Sequence, residues 1–181
     1  MTRLTPIDPS TASGPAKALL DGVQSALGMT PNLMRTLAHS PAALEGYLNF
    51  NGALARGSIS PQLREQIAIA IAEANGCDYC LSAHTMLGKM AKVDVEALEN
   101  ARSAKSTDAK VQAALTFARR VLDAKGRVSD QDLSDVRDAG FSEGEIAEIV
   151  GHVGLNVFTN YFNNMAETEI DFPPVRALSV R

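Results

Sequence analysis

Ser60-Pro61-Gln62-Leu63-Arg64-Glu65-Gln66-Ile67-Ala68-Ile69-Ala70-Ile71-Ala72-Glu73-Ala74-Asn75-Gly76-Cys77-Asp78-Tyr79-Cys80-Leu81-Ser82-Ala83-His84 reads as a helix, a tight turn and the start of a second helix. Ser60-Pro61 has the signature of an N-cap followed by the first helical residue. From Ile67 to Ala72 every residue is apolar, so no face is left for solvent and the helix is expected to be buried. The Ile/Ala alternation mimics a strand, but the alanines and the length favour helix. Asn75-Gly76 ends it, and the next helix starts near Cys77 to Tyr79 and runs to about Met90. A connection this short makes the two helices an antiparallel hairpin.

The same signals recur outward from the hairpin. Pro6, Pro9 and Gly14 punctuate an irregular N-terminal arm over residues 1–14. Helices are predicted at about Pro15–Leu27, Pro31–Ala38 and Ser40–Arg56. Further ones are predicted at about Asp94–Ala101, Asp108–Lys125, Ser129–Ala139 and Ser142–Asn164. Asp171-Phe172-Pro173-Pro174 reads as extended. Nothing reads as a sheet, and no linker separates domains. The expectation is one all-α domain over residues 1–181 with the hairpin at its centre. A weak internal helical repeat accompanies it: Glu65-Gln66-Ile67-Ala68-Ile69 resembles Glu145-Ile146-Ala147-Glu148-Ile149. The same offset sets Val157, Asn160 and Asn164 against Cys77, Cys80 and His84.

Composition narrows the function. The 181 residues, 45% hydrophobic and 21% charged, can bury a core without disulfide staples. A net charge of −4 argues against a generally basic nucleic-acid binder. The first residues hold no apolar signal core, and no apolar run is long enough to span a bilayer. A cytoplasmic protein with no membrane or nucleic-acid partner is therefore expected. In that compartment a cysteine pair points to redox chemistry or metal rather than to stapling.

Cys77 and Cys80 are the two cysteines of the chain, and His84 is one of three histidines. Cys80 and His84 stand one turn apart on one helix face. Cys80 also lies near a helix N-terminus, where exposed N–H groups and the dipole favour a thiolate. A neighbouring His⁺ and a Cys-x-x-Cys partner lower a thiol pKa further. Nucleophile, resolving thiol and proton carrier thus fall within one turn. Two carboxylates could complete a relay, because across the hairpin Glu65 comes level with His84 and Glu73 level with Cys80. Geometry leaves that choice open, and Glu65 could be a first-turn cap partner. A four-cysteine zinc site is excluded. A mixed site of Cys77, Cys80, His84 and His152 or Glu65 has unusual spacing for structural zinc. His39 and His152 read as lone histidines in capping or helical settings, and Tyr79 as a packing residue whose hydroxyl reaches toward the site.

Glu65, eleven residues, Cys77, two residues, Cys80, three residues, His84: this pattern resembles the alkylhydroperoxidase D-like branch of the carboxymuconolactone decarboxylase superfamily. The likeness extends upstream through Pro31-Asn32-Leu33-Met34-Arg35 and His39-Ser40-Pro41. Downstream it takes in Ala139-Gly140-Phe141-Ser142-Glu143-Gly144-Glu145-Ile146 and Asn156-Val157-Phe158-Thr159-Asn160-Tyr161-Phe162-Asn163, so that it spans about Pro31 to Pro173. The decarboxylases of the superfamily lack the cysteine pair. The resemblance implies an all-α alkylhydroperoxidase D-like fold and makes Glu65, not Glu73, the relay carboxylate. It implies that Cys80 is the peroxidatic thiol and that Cys77 resolves it as a disulfide. His84 and Glu65 would then move the protons. Members often carry a second histidine just before the second cysteine; here that position is Tyr79.

The function implied is a thiol-dependent peroxidase with no bound cofactor, taking a hydroperoxide substrate and an external lipoamide-like dithiol reductant or redox partner protein. A homo-oligomer, trimer or hexamer, is also implied. The rivals are a dithiol–disulfide relay for a protein partner and a non-catalytic redox sensor.

Overall fold

The computed structural model describes residues 2–178. Among them are nine helices: α1 (Gly14–Leu27), α2 (Asn32–Leu37), α3 (Pro41–Ala55), α4 (Pro61–Ala74), α5 (Asp78–Met90), α6 (Val95–Arg102), α7 (Ala109–Asp123), α8 (Asp130–Asp138) and α9 (Glu143–Ala166). No strand occurs among the described residues. Each element lies within a few residues of its predicted position, because the starts are capped as the sequence spells them. The Ser40 and Ser60 hydroxyls accept from the N–H groups of Ala43 and Leu63, both at 3.2 Å, with proline at the first helical position. Ser129 with Asp132 and Ser142 with Glu145 form capping boxes.

The all-apolar run finds its reason in packing. α4 touches α5, α6, α7 and α9, so each of its faces meets a neighbour. Every residue from Gln66 to Glu73 is buried. Removing Ile67, Ile69 and Ile71 from water contributes about 1.5–3 kcal/mol each. α5 folds back along α4 through Asn75-Gly76, and Gly76 takes the left-handed conformation at φ 61°. A side chain there would be strained, so glycine sets the hairpin.

The weak repeat is not a repeat of the hairpin. The residues that correspond to α4, the turn and α5 lie in α9, a single uninterrupted helix of 24 residues. Asn156 stands where the offset places Gly76, and no left-handed glycine breaks the chain there. α9 instead packs lengthwise against α3, α4, α5 and α7.

The C-terminal segment is extended, as Pro173-Pro174 predicts, and it ties the hairpin together. The N–H groups of Val175, Ala177 and Leu178 donate to Ser82 Oγ, Asp78 Oδ1 and Glu73 Oε1 at 2.9, 2.8 and 2.6 Å. The N-terminal arm is fixed by Ile7 N–H to the Arg35 carbonyl and by His39 Nε2 against the Thr5 carbonyl. That contact assigns His39 to the arm.

Candidate functional site

The turn at Gly76 makes Cys77 the N-cap of α5, its Sγ accepting from the Cys80 N–H at 3.2 Å. Sulfur thus stands where a serine or aspartate oxygen caps other helices. Cys77 and Cys80 are joined in a disulfide, with their Cα atoms 5.3 Å apart. The two sulfurs differ in access. Cys77 is fully buried, whereas Cys80 lines a cavity of about 360 Å³.

The hairpin delivers the expected proton pair to the same cavity. His84 Nδ1 and Glu65 Oε2 are 2.8 Å apart, each side chain about one-fifth exposed. Gly88, one turn past His84, lets α6 pack close, since a Cβ there would meet Leu98 at 2.5 Å. Glu73 is engaged elsewhere. It accepts from Arg102 Nε at 2.8 Å in a buried ion pair and from the Leu178 N–H. The choice that hairpin geometry left open is therefore decided by partners: Glu65 meets His84, and Glu73 holds α6 and the C-terminal segment.

Tyr79 is buried, packs edge-on to Phe172 at 5.5 Å and accepts from the Leu33 N–H at 3.0 Å. Burial, followed by the charge of Asp171, pushes its phenol far above the ordinary range. It is a neutral pin between α5 and α2 at neutral pH, not a substitute for a relay histidine. Tyr47, on α3 across the cavity, is pushed up to about 12 by burial and by Glu65.

α9 supplies a wall that sequence reading missed. His152, Asn156, Thr159 and Asn163 all line the cavity and all are buried. Their spacing of four, three and four residues puts them on one helix face. The polar residues at that spacing were the available signal, and asparagines and glutamates elsewhere on the helix mask it. Asn163 Nδ2 donates to Cys80 Sγ at 3.3 Å. His152 Nε2 is buried without a hydrogen-bond partner. Burial, reinforced by Arg64, lowers its pKa to about 4, so this imidazole is neutral at pH 7.

The remaining lining is largely apolar, with Leu27, Met29, Leu33 and Met34 on one side and Leu87 and Met90 on another. A more open cleft of about 840 Å³ runs beneath the C-terminal segment and shares Tyr79, Asn163 and Phe172 with the cavity as a common partition. Among the described residues, no group of three or more His, Cys, Asp or Glu is placed to share a metal ion. No helix among them is long and apolar enough to cross a membrane.

Residues 41–124, from the start of α3 to just past α7, match the carboxymuconolactone decarboxylase family. Solved structures share the architecture over nearly the whole chain. One is the alkylhydroperoxidase AhpD core, a peroxidase-related protein of Ralstonia eutropha JMP134. It superposes with a TM-score of 0.84 at 22% identity, over 94% of this chain and 92% of that one. A peroxidase-related protein of Silicibacter sp. TM1040 follows with 0.78 at 24%, over 97% and 95%. The apo debrominase Bmp8 gives 0.79 at 22%, over 94% and 93%. At these identities the likeness is one of fold. No curated protein sequence matches the chain.

Proposed function

We propose that the chain, which has the alkylhydroperoxidase D-like fold, belongs to the carboxymuconolactone decarboxylase superfamily and is a thiol-dependent peroxidase whose nucleophile is Cys80. The observation that carries this reading is the asymmetry of the two sulfurs: Cys80 opens on the cavity that holds Glu65 and His84, while Cys77 sits behind it without access. In the reduced protein the Cys80 thiolate attacks the terminal oxygen of R–O–O–H. The O–O bond breaks, Cys80 becomes a sulfenic acid, and RO⁻ takes a proton from His84, which Glu65 orients. The Cys77 thiol then condenses with the sulfenic acid, forming the disulfide and releasing water. An external dithiol reduces the disulfide and is itself oxidised.

The apolar walls suit the organic body of a hydroperoxide, and about 360 Å³ is near the lower end of small-molecule sites. A recessed sulfur favours a slender dithiol such as a lipoamide-like arm over a bulky protein disulfide. The exposed Phe158, Tyr161 and Met165 of α9 support a homo-oligomer. A second reading rests on the Bmp8 likeness: the same dithiol would reduce a carbon–halogen bond, turning R–Br into R–H and HBr as the disulfide forms.

The test is a coupled assay of hydroperoxide consumption with several dithiol donors, with a bromopyrrole arm, comparing unsubstituted protein with Cys80→Ser. Hydroperoxide turnover that vanishes in Cys80→Ser is the expected result. Turnover that survives removes Cys80 as nucleophile, and debromination without peroxide turnover replaces the peroxidase reading with the second.

A further inference from the structure

Of the two sulfurs, Cys80 receives a side-chain donor, from a helix distant in sequence. Asn163 lies near the end of α9, eighty-three residues along the chain, and it is 3% exposed. Its Nδ2 stands 3.3 Å from Cys80 Sγ, while its Oδ1 is buried with no hydrogen-bond partner. An amide leaving its carbonyl unpaired is costly, so the contact to sulfur calls for a return. A disulfide sulfur is a weak acceptor and gives little. A thiolate is an anion, and a hydrogen bond to it is charge-assisted and about twice as strong.

We propose that the Asn163 side-chain amide is the group that holds Cys80 as a thiolate once the disulfide is reduced. This deepens the peroxidase reading and rests on its claim that Cys80 is the reacting thiol. The bond favours the reduced, ionised state over the disulfide, so Asn163 both activates the nucleophile and eases resetting of the pair. Cys77 receives the backbone N–H of Cys80 instead. The charged and titratable groups around the cavity are Tyr47 on α3, Arg64 and Glu65 on α4, Tyr79 and His84 on α5, and His152 on α9. Among the described residues, Asn163 is the side-chain donor within hydrogen-bond range of Cys80 Sγ. That contact makes it a catalytic residue, not one acting through another.

The experiment uses reduced protein carrying Cys77→Ser, so that the thiolate absorbance near 240 nm and the rate of alkylation by iodoacetamide both report Cys80. Asn163→Ala should raise the midpoint of this titration by about 1 to 2 pH units and slow alkylation at neutral pH by about tenfold or more. Asn163→Asp, equal in size but without the donor and with a charge of the wrong sign, should raise it at least as far. Circular dichroism identifies the folded variants. A Cys80 midpoint unchanged in a folded variant overturns the proposal. The reduced Cys77→Ser protein with Asn163 intact supplies a readout that does not depend on those variants. Its Asn163 side-chain NH₂ resonances should move with the Cys80 titration, and resonances that ignore it also overturn the proposal. None of these measurements uses peroxide. A protein that passes them yet consumes no hydroperoxide sinks the peroxidase reading alone.

Discussion

The α4–α5 hairpin and α9 begin from similar sequence and end as different devices. Each opens with a serine cap and runs through Glu-x-Ile-Ala-like helix formers. In the first, Gly76 at φ 61° folds the chain back and makes Cys77 a helix N-cap. In the second, the helix continues through 24 residues and no new N-terminus appears. The hairpin supplies the cysteine pair, and its helix start offers sulfur a cap position and a favourable dipole. The long helix supplies a rigid rail, carrying His152 at one end of the cavity and Asn163 at the other. A site of this kind needs both a broken helix and an unbroken one.

The largest expected effects separate the two ends of α4. Glu65→Gln leaves His84 without its anion and should lower the peroxide rate about 10²–10⁴-fold, the usual worth of general acid–base help. Glu73→Ala should act on stability instead. It leaves the buried Arg102 Nε without its acceptor, while Nη1 keeps Glu99 and Nη2 keeps the Arg176 carbonyl, a loss of about 1–3 kcal/mol. The rate per folded molecule should stay near that of unsubstituted protein. Chemical denaturation alongside steady-state kinetics checks both. A Glu65→Gln enzyme of full activity, or a Glu73→Ala protein of full stability, would erase the distinction.

These two carboxylates also mark how far the sequence could be read. Helix positions were legible, because Ser-Pro starts, capping boxes and Asn-Gly stops are local signals acting within one turn. That Cys80 and His84 open on one cavity was legible for the same reason. Glu65 against Glu73 was not decided by counting along a hairpin. It is settled by Arg102 and Leu178, which reach Glu73 from 29 and 105 residues away. Asn163 stayed hidden for a like reason. Its partner is 83 residues away, and it lies outside the matched region 41–124. His152 read as a lone histidine because its setting depends on what α4 and α9 enclose between them. Tyr79 looked like a missing histidine until its hydroxyl was found on the Leu33 amide.

A middle-sized effect tests the hidden group on α9. His152 has a native pKa of about 4 against an ordinary 6.5. Between those values the unfolded chain binds a proton that the native state refuses. Its contribution to stability is therefore complete above pH 6.5 and is lost as pH falls toward 4. The full amount is about 3 kcal/mol, from roughly 1.4 kcal/mol per pH unit. His152→Leu should remove this acid limb, so that the stability difference between variant and unsubstituted protein changes across pH 4.5 to 7.5. Urea midpoints across that range measure it. Parallel curves would mean that the imidazole titrates alike folded and unfolded, and that α9 does not bury it as described.

The smallest effect is the sharpest, because one substitution should change sign between the two regions. Gly76 sits at positive φ, where a β-carbon crowds the backbone, so Gly76→Ala should destabilise by about 1–2 kcal/mol. Gly154 lies inside α9, is exposed, and has open space where a β-carbon would go. There the conformation is already helical, and alanine removes freedom from the unfolded chain at no native cost. Gly154→Ala should stabilise by about 0.5–1 kcal/mol. Thermal melts of the two variants under one buffer decide the matter. Equal shifts of the same sign would mean that the turn at residue 76 does not require glycine. The broken helix would then owe its hairpin to the packing of α5 on α4, and the thiols' cap position would survive without the residue that sets it here.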